Sequence, residues 1–262
     1  MVPGLGRHRL KAGRGGIDVG HGRGKAIART CGMADDPVLV ITGASTGIGA
    51  ATARRAVEFG HRVALAARSQ DKLEALAEEL GGPERAIAVR CDVTSWEDQQ
   101  ALVAGTLEAF GRMDAYFANA GFGAKRGFLE ETVEHWRSMI DTNVYGAALS
   151  IRASLPHFRR ENRGHVIITS SIAGRRVLPG SLYSCTKHAV TAMGEALRQE
   201  LSDSDIKVTL IEPGMVDTPF FENRVSNALE ADDIARAVLY AMTQPPHVDV
   251  AEILVRPIHQ AV

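Results

Sequence analysis

Cysteine is scarce in this chain of 262 residues: Cys31, Cys91 and Cys185 stand far apart, their number is odd, and no Cys-x-x-Cys occurs. That argues against a disulfide framework or a cysteine zinc cluster, and it fits a reducing, cytoplasmic setting. No uninterrupted apolar run reaches the roughly 20 residues a membrane-spanning helix needs, so no membrane partner is expected. Charge is equally uninformative of large partners. Thirty Lys and Arg face 31 Asp and Glu, a net charge of −1, so no global field draws the chain to nucleic acid. There is no His-Glu-x-x-His, and His157, His165 and His188 lack metal-ligand spacing. They read as surface or loop residues, and no metal is expected.

What is present divides unevenly. Residues 1–32 are rich in Gly and Arg, contain one acid, Asp18, and show no apolar periodicity. Inside them "GHGRGK" imitates a phosphate loop, but Val19 and Ala26 stand where Gly and Ser or Thr are required. This stretch reads as a disordered extension, with Met33 as an alternative start. Residues 33–262 read as one domain, with 45 % apolar residues over the whole chain to build a core.

From Val38 onward, short apolar runs alternate with amphipathic stretches. "VLVIT", "RVALAA", "AIAVR", "AYFANAG" (running into a loop), "HVIITS", "KVTLIEP" and "EILVRP" are strand-like, and the first is apolar throughout, as a strand covered on both faces is. Helices are expected over 47–59, 70–80, 95–110, 133–158, 182–201 and 231–242, with Ser69 and Ser95 as N-caps and further short helices after Pro219. The pattern predicts an α/β, Rossmann-type, doubly wound parallel sheet in a single domain. Such sheets bind ligands at the carboxyl ends of their strands.

Candidate residues do follow strands. "TGASTGIG" closes the first, placing Gly43, Gly47 and Gly49 where a strand turns into a helix. Glycine there permits a tight turn and close approach of backbone to a pyrophosphate at the helix N-terminus. The Thr-Gly-x-x-x-Gly-x-Gly spacing resembles the signature of the short-chain dehydrogenase/reductase family. The second strand ends in Ala67 and Arg68 rather than in the acid that would meet a ribose 2′-hydroxyl. A guanidinium can bind a 2′-phosphate bidentately, so NADP is favoured over NAD.

"YSCTK" supports two chemistries by itself. Ser184-x-x-Lys187 is the nucleophile pattern of penicillin-binding enzymes, but Ser-Asp-Asn and Lys-Thr-Gly are missing. Tyr183-x-x-x-Lys187 sets a phenol and an ammonium on one helix face. A nearby ammonium favours the phenolate, which would suit Tyr183 to proton transfer.

The family resemblance runs from about Val38 to Thr218 and implies further roles. Ser171, twelve residues before Tyr183, is selected over Ser170 by the x-Ala-Gly that follows it. Asn143 in "DTNVYG" matches the fourth catalytic member, holding a water on Lys187. The implied cofactor contacts are Gly43, Ser45, Thr46, Gly47, Ile48, Gly49, Arg68, Asp92, Val93, Asn119, Ala120, Gly121, Pro213, Gly214, Val216 and Thr218, with Tyr183 and Lys187. The activity implied is exchange between a small-molecule alcohol and its carbonyl, with homodimers or homotetramers formed through the two long helices. The C-terminal stretch is similar to relatives acting on small 3-hydroxy acids and hydroxy-amino acids, and Lys125 and Arg126 offer charge for a carboxylate. A catalytically silent dinucleotide-binding sensor is the other reading of the same fold.

Overall fold

The computed structural model describes residues 36–221 and 223–260. The extension expected over residues 1–32 lies outside the described residues. In chain order the elements are β1 (Val38–Thr42), α1 (Gly47–Glu58), β2 (Arg62–Ala67), α2 (Gln70–Glu79), β3 (Ala86–Arg90), α3 (Trp96–Phe110), β4 (Ala115–Ala118) and α4 (Val133–Ile140). There follow α5 (Ala147–Glu161), β5 (Gly164–Thr169), α6 (Leu182–Glu200), β6 (Ile206–Pro213), the short β7 (Val216–Asp217) and β8 (Leu229–Glu230), α7 (Ala231–Met242) and β9 (Glu252–Val255).

Seven strands form one parallel sheet in the order β3-β2-β1-β4-β5-β6-β9. Side chains alternate across it with period two. Leu39 and Ile41 of β1 join Leu65, Phe117, Ile167 and Ile211 beneath α1, α2 and α7. Val40 joins Ala64, Tyr116, Val166, Ile168 and Val208 beneath α3, α5 and α6. Both faces are therefore dry, which is why β1 is apolar at every position. Strand order reverses between β1 and β4, so a crevice opens at their carboxyl ends.

Three expectations need correction. The helix expected over 133–158 is interrupted: Asp141–Gly146 forms a π-helical turn, and α5 runs on to Glu161 through Pro156. Two local contacts accompany the interruption. Gly146 lies so close to the third-strand loop that a Cβ there would sit 2.8 Å from Val93 Cγ2. Asn143 turns its amide onto the Phe122 backbone rather than along the helix. Of the short helices expected after Pro219, α7 forms, but the described residues between Pro219 and β8 form none. That segment wraps instead around Asp217, whose carboxylate accepts from Val225 N and Arg224 Nε, each at 3.1 Å.

His157 and His165 are not surface residues either. Both are buried. His157 Nε2 meets the Met113 carbonyl at 3.1 Å, and His165 Nε2 meets Thr209 Oγ1 at 2.7 Å. Burial pushes His165 down to about 3, so it stays neutral and structural. Among the described residues no helix is long and apolar enough to cross a membrane, and no three metal-ligating side chains come together.

Candidate active site

The crevice begins at Thr42. Its hydroxyl donates to Phe117 O at 3.3 Å and accepts from the amides of Asn119 and Ala120 at 3.0 and 3.2 Å. Asn119 completes the lacing: its Nδ2 donates to Thr42 O at 3.0 Å, and Thr169 Oγ1 donates to its Oδ1 at 3.1 Å. The ends of β1, β4 and β5 are thus bound side by side.

Gly43 (φ +67°) then turns the chain. A Cβ there would lie 2.9 Å from Ala120 Cα, and one at Gly49 would lie 2.3 Å from Gly43 O. Only bare backbone fits this turn. Gly47 (φ +55°) opens α1 and faces Thr218, whose Cβ would be 3.3 Å from an added methyl. Thr46, the N-cap, makes no side-chain cap bond, and the first turn carries no acid. By contrast α3, α4 and α6 are capped by Ser95, Thr132 and Ser181. The donors of α1 are left to point into the crevice, with Ser45 and Ile48 partly exposed beside them, a fit for a pyrophosphate.

Further along, Arg68, Asp92 and Thr94 line a cavity of about 520 Å³ completed by α4 residues. Arg68 is exposed. Burial works against the Asp92 charge, yet bonds from Thr94 and the nearby Arg68 hold its carboxyl below the usual range. Val93 is buried. Across the crevice Gly214 N donates to Val255 O at 2.7 Å, and Val216 is buried where β7 pairs with β8. Pro213 ends β6.

Four predicted side chains meet where β4, β5 and α6 converge. Lys187 is 4 % exposed; its Nζ donates to Thr169 O at 2.8 Å and lies 5.7 Å from the centre of the Tyr183 ring. Ser171 Oγ accepts from Ala173 N at 3.1 Å and donates to Pro213 O at 3.2 Å. Asn143 Oδ1 accepts from Phe122 N at 3.0 Å, while its Nδ2 donates to Phe122 O at 2.9 Å and Thr186 Oγ1 at 3.2 Å. A Cβ on Gly121 would lie 3.0 Å from Asn143 Oδ1 and 3.8 Å from Lys187 Nζ, so this glycine keeps the space between them open. Cys185 points away, exposed, and Ser184 is spent on Leu178 N.

The electrostatics differ from the sequence expectation in one respect. Burial pushes Tyr183 up to about 12, with the Ser171 hydroxyl drawing it back only in part. Burial also lowers Lys187 to about 8. Desolvation dominates at Tyr183, so the phenol holds its proton at neutral pH.

Some features escape sequence reading. Gly43 to Gly47 also spells Gly-x-Ser-x-Gly, the nucleophile-elbow pattern, yet among the described residues no histidine or carboxylate is hydrogen-bonded to Ser45. Thr169 and Thr186 hold Lys187 and Asn143 but belong to no motif; their only signal is their place beside motif residues. Phe220 packs edge-on against Tyr183 at 5.7 Å and over Gly123, where a Cβ would meet its Cζ at 2.7 Å. Lys125 and Arg126 are exposed in the loop before α4.

Comparison with known proteins agrees with this geometry. The family model for short chain dehydrogenase matches residues 37–229. An uncharacterized oxidoreductase of Staphylococcus haemolyticus is 43 % identical over 225 residues, covering 84 % of this chain and 97 % of that protein. The alcohol dehydrogenase of the archaeon Thermococcus sibiricus, solved with 5-hydroxy-NADP, superposes with a TM-score of 0.80 at 32 % identity, covering 87 % of this chain and 99 % of that one. The serine dehydrogenase of Escherichia coli gives 0.79 at 31 %, covering 86 % and 100 %. With its parallel sheet, glycine turn and family match over most of its length, the chain belongs to the short-chain dehydrogenase family of oxidoreductases.

Proposed function

We propose that this protein is an NADP(H)-dependent oxidoreductase that interconverts a secondary alcohol and a ketone, with Tyr183 as general acid/base. The observation that carries the reading is the convergence of Ser171, Tyr183, Lys187 and Asn143 at the strand ends beside the bare glycine turn. When bound, the cofactor supplies the hydride and, once oxidised, a positive charge near the phenol. The α1 N-terminus and the Gly43–Gly49 turn would hold its phosphates, Asp92 and Val93 its adenine, and Asn119 to Gly121 its ribose. Pro213, Gly214, Val216 and Thr218 would close over its carboxamide end. Arg68 beside Ala67 supports the 2′-phosphate and hence NADP.

The chain's own groups divide the proton work. Ser171 turns its hydroxyl from Pro213 O to the substrate oxygen and steadies the charge that grows there. Tyr183, protonated at neutral pH, gives its proton to that oxygen during reduction and takes it back during oxidation. Lys187, near 8 and with two donors beyond the Thr169 bond, lowers the cost of a phenolate and passes protons toward solvent. Both donors of the Asn143 amide are committed, so it would hold a relay water through an oxygen.

A small polar 3-hydroxy acid or hydroxy-amino acid is the substrate class proposed. The likeness to a serine dehydrogenase supports it, as do Lys125 and Arg126 in the loop before α4. Unpaired Cys91 and Cys185 suit a cytoplasmic setting. A groove of about 620 Å³ along α5 and α6, lined by Trp96, Ile151, Leu155, Met193 and Leu197, suits pairing with a second copy. Light scattering at micromolar concentration is expected to give a dimer or tetramer mass, and a monomer would refute that pairing.

NADPH oxidation across a panel of ketones and oxo acids tests the activity. Tight NADPH binding with no turnover on any of them would favour the silent sensor instead. Tyr183→Phe is expected to lower kcat by at least about 10²-fold with NADPH affinity kept, since it removes the acid/base; an active variant would remove that role. Arg68→Asp is expected to raise the NADPH Kd by about tenfold or more, the loss of a charge-assisted pair worth ~1.5–3 kcal/mol, and to spare NADH. Unchanged preference would remove the 2′-phosphate contact.

The lowered Lys187 has a measurable sign. Between about pH 8 and 10.5 the unfolded chain keeps the lysine proton that the folded protein has lost, so folding stability rises with pH there. Lys187→Met lacks this gain. The unfolding free energy of the native protein relative to Lys187→Met is expected to rise by up to about 3 kcal/mol across that window in urea titrations. A difference independent of pH would show that Lys187 is not desolvated.

A further inference from the structure

One buried charge takes part in no step above. Glu212 lies in β6 between Ile211 and Pro213, with its side chain 2 % exposed. Its strand neighbours Val208, Leu210 and Ile211 are apolar and fully buried. An ionised carboxylate costs several kcal/mol at such a position unless it is well paired, and a hydrophobic side chain there would be no less stable. Its partner is Arg175, whose Nε donates to Glu212 Oε1 at 2.7 Å. The same guanidinium reaches Glu195 of α6 at 3.3 Å and Glu252 of β9 at 2.5 Å. One side chain therefore ties three elements together.

Its place in the chain gives this tie a direction. Ser171 begins, and Arg175 ends, the one-turn 3-10 helix Ile172–Gly174. On the facing strand, Glu212 immediately precedes Pro213, whose carbonyl accepts the Ser171 hydroxyl at 3.2 Å. The ion pair and the serine bond thus span the same two segments, one residue apart on β6. The opposite side of the turn is pressed onto α6. A Cβ on Gly174 would lie 2.6 Å from both Ser170 Oγ and Thr191 Oγ1, and 2.7 Å from Lys187 O. Gly174 sets the turn against the lysine's backbone, and Arg175 fastens it to β6.

We propose that Arg175 is a positioning residue for Ser171: its pairing with buried Glu212 fixes the serine hydroxyl where it can hold the substrate oxygen beside Tyr183. Buried ion pairs contribute little net stability but can select one geometry among several. Catalytic groups need placement within roughly 0.5 Å, and a displacement of about 1 Å can cost ~10²-fold in rate. The proposal rests on the assignment of Ser171 given above, and the test separates the two.

Ser171→Ala, Arg175→Gln and the double variant are compared in the full chain, with NADPH and diacetyl as the probe pair. Arg175→Gln is expected to lower kcat about 30- to 100-fold with the NADPH Kd within about twofold, Arg175→Lys to recover part of it, and the change to cost under about twofold when Ser171 is already Ala. Multiplicative losses in the double variant would overturn the proposal, because a merely structural residue slows the enzyme whether or not the serine is present. A harmless Ser171→Ala would overturn the serine's role and this proposal with it. Amide hydrogen exchange needs no turnover. Arg175→Gln, or Arg175→Lys should the first fail to fold, is expected to speed exchange at residues 172–175 by about tenfold or more while the strands stay protected. Unchanged exchange there would sink the positioning role whatever the kinetics show.

Discussion

The Thr42 hydroxyl, bonded at once to Phe117 O and to the amides of Asn119 and Ala120, sets the width of the crevice on which the rest of the site depends. It joins the carboxyl ends of two strands that are far apart in sequence and adjacent in space. Because β1 and β4 are held this closely, a Cβ on Gly43 would lie only 2.9 Å from Ala120 Cα, and glycine is what lets the chain pass. The bare turn then aims the uncapped start of α1 into the crevice. Asn119 extends the lacing to Thr169, and Thr169 O is the acceptor that holds Lys187. A chain of hydrogen bonds therefore runs from the glycine turn to the lysine.

Much of this was legible in the sequence because the physics involved is local. Short continuous apolar runs marked β1 to β6, and glycine at fixed intervals after a strand marked the turn. The i, i+4 spacing of Tyr183 and Lys187 fixed their shared face. What was not legible depends on contacts between distant segments. The π turn at Asp141–Gly146 goes with contacts to Val93 and Phe122, which no window of residues around Asn143 contains. His157 and His165 look like exposed polar residues until Met113 and Thr209 are brought to them. Phe220 meets Tyr183 from a segment that winds around Asp217, a contact between residues 37 positions apart.

The titration of the pair shows a similar limit. Spacing alone says that an ammonium lies near a phenol, which favours the phenolate. Burial acts on both groups in the other direction, pushing the tyrosine up and the lysine down. Tyr183 thus keeps its proton at neutral pH, as the proposed role of acid toward a ketone needs. Glu212 is the counterpart in the scaffold: a charge kept in the sheet at a cost, and compensated by a guanidinium that belongs to the serine turn.

The π turn has a consequence for how this helical segment tolerates change. A π turn carries one residue more than the α-helical turn it replaces, and each residue advances a helix by about 100°. The segments α4 and α5 are therefore out of phase by that much. Loss of a single residue between Asp141 and Gly146 would heal the helix into one continuous rod and rotate one half against the other. The face of α5 that now packs beneath the sheet, and the face of α4 beside Arg68 and Asp92, could not both be kept. Length in this stretch is a setting of angle, and a deletion that looks small in the sequence would dismantle two surfaces at once.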